Sequence, residues 1–298
     1  MKQYLSIDIG GTNVKYAIMD RSGKIVTKDK IASPQELNEF LAAIDQIVSQ
    51  YASEISGLAI CAPGKVEHNV IHYGGALEFL DGIDFGKIYH DASFPIAVIN
   101  DGKAAVLAES WIGSLQHCEN CAAIVLGTLV GGGIIVNNHL LNGVHFQAGE
   151  ISFMDFQTGD DRDRMSGFQA SSVGMIKAVN RALGHQNLTD GLAAFEAINA
   201  GDKRVMPIFN AFCEKVASII LNIQTVVDLE KFAIGGGISA QAILVKSINQ
   251  AYDRLVNDKM PMVGSTLTRP EIVDSKLKND ANLYGALYNL LLTVTETA

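Results

Sequence analysis

The amino-acid sequence predicts an α/β protein of two related halves, each with a mixed sheet, and a central cleft for ligands. One order of elements occurs twice, at 4–30 and again from residue 122: strand, glycine-rich turn, strand, polar turn, strand. Helical stretches, recognised by apolar residues at helical spacing, follow each set of strands. Of the 298 residues, 48% are hydrophobic and 18% are charged, so the chain can bury a large core.

The first half opens with a meander of strands. Apolar residues predict strands at 4–9 and 14–19, joined by a Gly-Gly turn, with a third strand after the next turn. Ser33, Pro34 and Glu36 form the pattern that starts a helix: a serine N-cap, a proline at the first helical position and an acid three residues after the cap. The sequence therefore predicts a helix that begins directly after Ser33.

Two further strands and a helix complete this half. Strands are predicted at 57–61 and 95–99, separated by a loop-rich stretch, and a helix is predicted at 104–112. The join to the second half falls near 113–121, without a proline-rich or serine-rich linker. The predicted halves are 1–115, together with a C-terminal helix at 280–298, and 116–279.

The second half repeats the opening order. An apolar strand at 122–126 leads to a glycine-rich turn that extends over the cluster at 131–133, and a second strand follows at 134–136. The stretch 231–237 resembles 57–64 as a strand that enters a glycine turn. The remaining helices are predicted within 170–200, 203–228, 239–257 and 280–294.

Charge, cysteine content and hydropathy argue against several classes of protein. A net charge of −9 disfavours nucleic acid or an anionic membrane surface as main partner, because both require a positive field. Four cysteines do not form a disulfide framework in a chain of this size, and the H-C-x-x-C stretch at 117–121 lacks the second ligand pair of a metal site. The longest uncharged apolar run, 121–136, is shorter than the roughly 20 residues of a membrane span. With no signal-peptide pattern, we expect a soluble cytoplasmic protein.

The first candidate site consists of Asp8, Gly10, Gly11, Thr12 and Lys15. Two glycines allow the backbone to approach a phosphate closely, the threonine adds a hydroxyl donor and the lysine a positive charge. An aspartate at the end of a strand can hold the Mg²⁺ that bridges two phosphates. A plain Gly-Gly hairpin whose aspartate caps the turn explains the same residues equally well.

The second candidate site is the pair Asn100 and Asp101, which follows an apolar strand directly. Ligands of α/β sheets bind at the C-terminal ends of strands, where an aspartate can accept the proton of a substrate hydroxyl and an asparagine can orient the substrate. Asn and Asp are also favoured helix N-caps, so a structural role remains an equal alternative.

The third candidate site combines Gly127 and Thr128 with Gly131, Gly132 and Gly133. It suits the far side of the same phosphate chain, although a hairpin is again the simple alternative. Three consecutive glycines carry an entropic penalty that a hairpin does not require.

Two smaller features complete the set. Gly235, Gly236 and Gly237 could form a flat floor against a nucleoside. Glu150 lies between a glycine and an apolar run, and its carboxylate could accept hydrogen bonds from neighbouring sugar hydroxyls. An isolated surface glutamate is the more common situation.

Together these residues resemble the ROK family (repressors, open reading frames and sugar kinases) of the actin-like ATPase, or ribonuclease H-like, fold class. Residues 8–15 are similar to the family's first phosphate motif, D-x-G-G-T-x-x-K, and residues 127–133 to its second, G-T-G-x-G-G-G. Residues 100–101 resemble its catalytic N-D pair, residues 148–150 the sugar-binding G-E-x-G-H, and residues 235–237 its adenosine-side glycines. The motifs occur in the family's order and span nearly the whole chain.

The resemblance implies an ATP-dependent kinase that phosphorylates a hexose or hexoside, with the 6-hydroxyl of glucose or of a β-glucoside as first expectation. It implies Mg²⁺-ATP held with the help of Asp8 and Gly236, a sugar bound by Asn100 and Glu150, and Asp101 as the catalytic base. An N-acetylmannosamine, other amino-sugar or fructose kinase and a non-catalytic sugar-sensing regulator remain alternatives. Neither nucleic acid nor membrane is an expected partner, and a homodimer is expected only by analogy.

Departures from the family pattern bear on zinc and on the substrate. Leu129 replaces the last glycine of G-T-G, and Phe153 replaces a histidine that binds zinc and the anomeric end of the sugar in the family. No cysteine occurs at 154–168, where the family carries its zinc loop, so we predict no zinc. A sugar-binding glutamate of the family aligns near Gly167. With Phe and Gly at that end, the sequence suggests a substrate substituted at C1, since the groups that would grip a free hydroxyl are missing.

Overall fold

The computed structural model describes residues 2–156 and 164–296, which form two compact units. Unit 1 comprises Met1–Ile112, Asn142–Ala148 and Asp280–Ala298, and unit 2 comprises Gly113–Leu141 and Gly149–Asn279. The division predicted from the sequence assigned 142–148 to the second half, and it is wrong for these residues. Lys103 gives the reason, because its Nζ donates hydrogen bonds to Asn142 Oδ1 at 3.1 Å and to the Phe146 carbonyl oxygen at 3.0 Å.

Unit 1 contains one five-stranded mixed sheet and a small hairpin. Its strands are β1 (Gln3–Ile9), β2 (Asn13–Asp20), β3 (Ile25–Ala32), β4 (Ile55–Ala62), β5 (Lys65–Glu67), β6 (Val70–His72) and β7 (Ile96–Asn100). Its helices are α1 (Leu37–Tyr51), α2 (Phe85–Ile88), α3 (Asp101–Ile112) and α10 (Ala281–Glu296). The sheet order is β3-β2-β1-β4-β7, in which β1, β2 and β3 pair antiparallel and β1, β4 and β7 pair parallel.

Unit 2 contains a second five-stranded mixed sheet. Its strands are β8 (Cys121–Leu126), β9 (Val130–Val136), β10 (His139–Leu140), β11 (Lys231–Gly236) and β12 (Glu271–Asp274). Its helices are α4 (Ser166–Gln169), α5 (Ser172–Leu183), α6 (Gly191–Asn199), α7 (Met206–Val227), α8 (Ala242–Asp253), a π-helical turn (Arg254–Lys259) and α9 (Pro261–Thr266). The sheet order is β10-β9-β8-β11-β12.

The two sheets share one topology. Each begins with a three-stranded antiparallel meander whose first strand pairs in parallel with one later strand, and that strand pairs in parallel with the last strand of the sheet. The predicted α/β class, with related halves and mixed sheets, is confirmed. In each sheet, the carboxyl ends of the three parallel strands meet at one edge, where polar residues from distant parts of the chain come together.

The predicted start of the first helix is wrong. Helix α1 begins at Leu37, and Glu36 occupies its N-cap position without a side-chain cap. The backbone N–H of Ser33 donates instead to the Thr12 carbonyl oxygen at 2.9 Å, which extends the pairing of β3 with β2. A long-range hydrogen bond therefore overrides the local capping signal.

The glycine cluster at 131–133 is also corrected, because these residues lie in strand β9 and not in a turn. Gly131, Gly132 and Gly133 pair with Val125, Ile124 and Ala123 of β8. The turn is confined to residues 127–129, where the Gly127 N–H donates to the Leu129 carbonyl oxygen at 3.0 Å.

Helix α7 is, among the described residues, the one that is long and apolar enough to cross a membrane by length and composition. Half of that apolar window is buried. Phe209, Val216 and Ile220 are fully buried in the core of unit 2. Packing in this core accounts for the apolar composition of the helix.

Candidate active site

Asp8 lies near the carboxyl end of β1 with 5% of its surface exposed. Lys15 stands opposite it across the β1–β2 pair and donates from Nζ to Asp8 Oδ2 at 3.1 Å. Asn282, in the first turn of α10, donates from Nδ2 to Asp8 Oδ1 at 3.0 Å. Each carboxylate oxygen thus accepts a hydrogen bond, and the two bonds fix the orientation of the carboxylate.

The segment after Asp8 is a tight hairpin turn. The Gly10 N–H donates to the Asn13 carbonyl oxygen at 3.1 Å, and a Cβ at Gly10 would lie 2.9 Å from that oxygen. Gly11 and Thr12 are exposed, and Gln35 Nε2 donates to the Gly11 carbonyl oxygen at 3.2 Å. The hairpin alternative is therefore correct as a description of the backbone, and it leaves Gly11 and Thr12 accessible to a ligand.

Asn100 ends β7 and Asp101 begins α3. Asn100 Nδ2 donates to the Gly64 carbonyl oxygen at 2.8 Å and to Asp101 Oδ1 at 3.0 Å. Its own Oδ1 accepts a hydrogen bond from the Lys103 N–H at 3.2 Å, so the N-cap alternative is also correct. Asp101 Oδ1 accepts a second hydrogen bond from the Gly102 N–H at 2.7 Å. Both residues are held in place, with Asp101 exposed at the strand end.

The carboxyl group of Asp101 has a raised pKa. Desolvation by the surrounding protein is the main cause and the negative charge of Asp8 adds to it, while the donors Gly102 and Asn100 oppose the shift. Because the side chain remains accessible to solvent, water moderates these effects. A raised pKa moves an acid toward the range in which it can exchange protons with a substrate.

Asp8 and Asp101 belong to the same edge of the sheet. Asp8 pairs with Cys61 of β4, and the next residue of β4, Ala62, pairs with Asn100 of β7. Two strand spacings separate the carboxyl ends of β1 and β7, a distance of about 10 Å. Burial and the charges of these two aspartates raise the pKa of the Cys61 thiol.

In unit 2 the turn after β8 is tied to the start of α5. Ser172 donates to the Gly127 carbonyl oxygen from its backbone N–H at 3.1 Å and from its hydroxyl at 3.0 Å. Thr128 is exposed and precedes Leu129, whose side chain is also exposed. Gly127 and Thr128 therefore lie at the carboxyl end of β8, as Asp8 does for β1.

The glycines of β9 allow close packing of the segment that carries Glu150. A Cβ at Gly132 would lie 2.7 Å from Ile151 Cδ1, and Gly149, with φ of +88°, passes directly over the strand. Ser152 Oγ donates to the Val130 carbonyl oxygen at 2.6 Å and fixes this segment to β9. Close packing of the segment that carries Glu150 against β9 is thus sufficient to explain why Gly132 is a glycine.

Unit 2 also contains a cavity of about 710 Å³ at the carboxyl ends of β8 and β11. Three helices begin at its wall: α5 with Ser172, α6 with its N-cap Asp190, and α8 with its N-cap Gln241. Helix N-termini carry partial positive charge and unpaired N–H groups, which favour anionic ligands. The remaining lining residues are Leu126, Gly127, Thr128, Val173, Ile176, Asn187, Thr189, Gly191, Leu192, Phe195, Gly237 and Ile238.

Two glycines after β11 have different roles at this cavity. Gly236 has a φ of +99°, and a Cβ there would lie 2.1 Å from the Leu126 carbonyl oxygen, so only glycine fits. Gly237 lines the cavity, and a Cβ there would meet no atom within 4 Å. Gly235 packs against Ser275 on β12's side of the sheet.

Comparison with known proteins identifies the family. The ROK family model matches residues 4–292. The chain belongs to the ROK family. The resemblance found in the sequence is thereby confirmed.

Relatives of this ROK protein include a beta-glucoside kinase of Listeria innocua, 26% identical, with 96% of each chain covered. A glucokinase of Halalkalibacterium halodurans is 27% identical, with 95% of this chain and 93% of the relative covered. A similar solved structure is a ROK family protein from Streptococcus pneumoniae in complex with sucrose, with a TM-score of 0.88 and 29% identity over 99% of each chain. The predicted kinase class agrees with these relatives.

The prediction that this ROK protein binds no zinc stays a prediction. Among residues 2–156 and 164–296, no group of three or more His, Cys, Asp or Glu side chains is placed to hold a metal ion. The predicted zinc-free segment, 154–168, falls partly outside these residues. Phe153 is 66% exposed, whereas Gly167 is buried and a Cβ there would lie 2.7 Å from Ser152 Oγ. Gly167 therefore does not line an open end of a site.

Several site residues escaped the sequence reasoning. Asn282 and the cavity residues Asn187 and Gln241 belong to no motif, because helices distant in sequence bring them to the sheet edges. Two local signals were present: Ser171 and Asp190 are side-chain N-caps of α5 and α6. Reading them as helix starts would have indicated two of the three N-termini at the cavity.

Proposed function

We propose that this ROK protein is an ATP-dependent carbohydrate kinase that transfers the γ-phosphoryl group to a hexose or hexoside hydroxyl. The first expectation is the 6-hydroxyl of glucose or of a β-glucoside. The observation that carries the proposal is the pair of fixed carboxylates, Asp8 and Asp101, at the carboxyl ends of β1 and β7 in one sheet. Family membership and kinase relatives support the class of reaction.

Asp101 is the proposed base. Its Oδ1 is fixed by Asn100 Nδ2 and the Gly102 N–H, so the carboxylate is positioned before substrate arrives. A raised pKa suits removal of a proton from an alcohol as the oxygen attacks the γ-phosphorus. Asn100 would bind another hydroxyl of the sugar, and the sugar-binding role of Glu150 stays a prediction from the sequence. Most of the acceleration in such transfers comes from positioning and charge stabilisation.

Asp8 fits a Mg²⁺ ion that is held mainly by phosphates and water, because such sites need only one or two protein carboxylates. Its carboxylate is buried to 5% exposure and oriented from both oxygens, with Lys15 beside it. Bound Mg²⁺ supplies neutralisation of the phosphate charge. Gly11 and Thr12, exposed next to Asp8, would donate to phosphate oxygens.

The cavity of unit 2 is the proposed nucleotide site. Its volume of about 710 Å³ lies in the range of ligand pockets, and the partial positive charge of the three helix N-termini favours an anionic ligand. Gly127, Thr128 and Gly237 all line the cavity, where Gly127 and Thr128 would face phosphates and Gly237 the nucleoside.

Gly237→Leu tests the nucleotide site. The new side chain has room at its Cβ and would project into the cavity, so the fold should persist while KM for ATP rises at least tenfold and KM for sugar is unchanged. Gly237→Ala should give a smaller change. Ala240→Leu, an exposed position outside the cavity lining, is the control and should leave both constants unchanged. Equal effects on ATP and sugar, or none on ATP, would contradict the placement.

A sugar substituted at C1 is the proposed substrate class. Phe153 offers an exposed aromatic ring where a polar histidine would grip a free hydroxyl, and a related ROK protein was crystallised with the disaccharide sucrose. The buried Gly167 gives no support to this proposal. Aromatic rings provide apolar area for the second ring of a glycoside.

Competition between glucose, cellobiose and phenyl β-glucoside in a coupled ATP assay tests the substrate class. We expect kcat/KM for the glycosides to exceed that for glucose by about tenfold, the lower end of the discrimination that apolar contacts in a pocket provide. Phe153→His should shift this ratio toward glucose. A clear preference of the wild-type protein for free glucose would reject the C1-substituted class and leave the kinase intact.

An amino-sugar or fructose kinase remains an alternative within the same class, and the same screen with those sugars decides it. A non-catalytic sugar sensor would bind sugar without turnover, which the presence of a fixed Asp101 disfavours. A cytoplasmic location and a homodimer are part of the proposal, supported by the acidic charge and by family analogy.

A further inference from the structure

The start of α10 contacts both elements that carry the proposed site carboxylates, Asp8 on β1 and Asp101 on α3. Asn282 Nδ2 donates to Asp8 Oδ1 at 3.0 Å. One residue later, the Leu283 carbonyl oxygen accepts a hydrogen bond from Ser6 Oγ at 2.7 Å. Two bonds therefore join this turn to β1, one of them directly to the acid.

The next turn of α10, at Gly285, is in contact with α3. A Cβ at Gly285 would lie 1.9 Å from the Ala104 carbonyl oxygen, so the two helix backbones are in direct contact. Ala104 lies three residues after Asp101, within the first turn of α3. The first two turns of α10 thus fix β1 and the start of α3 relative to each other inside unit 1.

We propose that Asn282 is a positioning residue that holds the Asp8 carboxylate in the orientation needed for magnesium-bound nucleotide. The inference rests on the proposed function, and it adds a role for a side chain from the far end of the chain. Asn282 bonds Oδ1, whereas Lys15 bonds Oδ2. Without the amide, the ammonium group of Lys15 could turn the carboxylate toward itself, and Asp8 would present a different oxygen geometry to the metal.

Partners that orient metal-binding carboxylates act through geometry, and their loss typically weakens metal affinity by about 10-fold to 100-fold. Asn282 is suited to this task because it is neutral: it donates a hydrogen bond without competing with the cation for charge. Its helix is anchored by Ser6 and by the contact at Gly285, so the amide is held rigidly.

Calorimetric titration of ADP, in the presence of Mg²⁺ and in EDTA, tests the proposal independently of turnover. Asn282→Ala should weaken ADP binding in Mg²⁺ by about tenfold and leave binding in EDTA unchanged. Asn289→Ala is the matched control: the same residue type on the same helix, equally half-buried, and it should change neither value. If the ratio of ADP affinity in Mg²⁺ to ADP affinity in EDTA is the same in Asn282→Ala as in wild type, the proposal is overturned.

Two further variants complete the design. Asn282→Leu keeps the volume of the side chain without its donors and should behave like Asn282→Ala, which covers the case that the alanine variant does not fold. In an Asp8→Ala background, Asn282→Ala should have no further effect, because the amide acts through that carboxylate. An equal effect with and without Asp8 would overturn the proposal.

Absence of phosphorylation of every sugar by the wild-type protein would reject the proposed function, while the two ADP affinities would still decide the role of Asn282.

Discussion

Asp101→Asn is expected to retain its fold and its sugar affinity and to lose kcat by about 10²-fold to 10⁴-fold, the usual contribution of a general base. The amide preserves the shape of the side chain, and its oxygen can still accept hydrogen bonds from Asn100 Nδ2 and the Gly102 N–H. It cannot accept the hydroxyl proton. The measurement is kcat and KM for sugar, with calorimetry for binding.

The pKa of Asp101 gives this variant a second signature. Because folding raises the pKa of this carboxyl, its protonated form stabilises the folded state. This stabilisation is fully present in acid and is lost as pH rises through the pKa of the folded state. Asp101→Asn should therefore be at least as stable as wild type at pH 7, with the difference vanishing in acid. In wild type, kcat/KM should fall with decreasing pH from a value above the ordinary aspartate range.

Asp84→Asn is the matched control for both signatures. Asp84 is the N-cap of α2, and its pKa is lowered mainly by the hydrogen bond from the Lys87 N–H. A lowered pKa contributes stability at neutral pH that is lost as pH falls, the opposite sign to Asp101. Asp84→Asn should thus keep full activity and lose a little stability at pH 7. Near-normal turnover in Asp101→Asn, or loss of its sugar binding, would contradict the assignment of the base.

The sequence predicted the elements of the fold better than their boundaries. Apolar segments that alternate with turns were sufficient to predict the mixed sheets and the repeated order of their strands. The start of α1 failed because Ser33 has a perfect local cap signal, yet its N–H pairs with Thr12, a residue of the preceding hairpin. Local rules do not contain the register of a sheet.

At the candidate site the sequence left a structural and a functional role as alternatives, and the structure is compatible with both at the same residues. Asn100 caps α3 and also orients Asp101, and Gly10 closes a hairpin that leaves Thr12 exposed. The structural and functional roles coexist because a strand end is also where a helix or turn must begin. Asn282 carried no signal, since its partner Asp8 is 274 positions away in the chain.

Gly285→Ala is expected to give the largest loss of stability, about 3 kcal/mol, at the upper part of the range for overpacked cores. The added Cβ would lie 1.9 Å from the Ala104 carbonyl oxygen, 2.4 Å from its carbonyl carbon and 2.6 Å from its Cα. All three are backbone atoms of α3, so no side-chain rotation relieves the contact. The higher helix propensity of alanine, about 1 kcal/mol, offsets only part of the strain.

The measurement is urea unfolding, with Gly191→Ala as control. Gly191 begins helix α6, and a Cβ there would meet Ile176 Cδ1 at an ordinary 3.5 Å, so this variant should unfold at the same or slightly higher urea concentration. Separation of α10 from α3 in Gly285→Ala should also move Asp8 relative to Asp101, because Asn282 lies three residues before Gly285 on the same helix. The folded fraction should therefore show reduced kcat beyond the loss of folded protein. Wild-type stability in Gly285→Ala would mean that the two helices are not in backbone contact, and the coupling of the two acids through α10 would lose its structural basis.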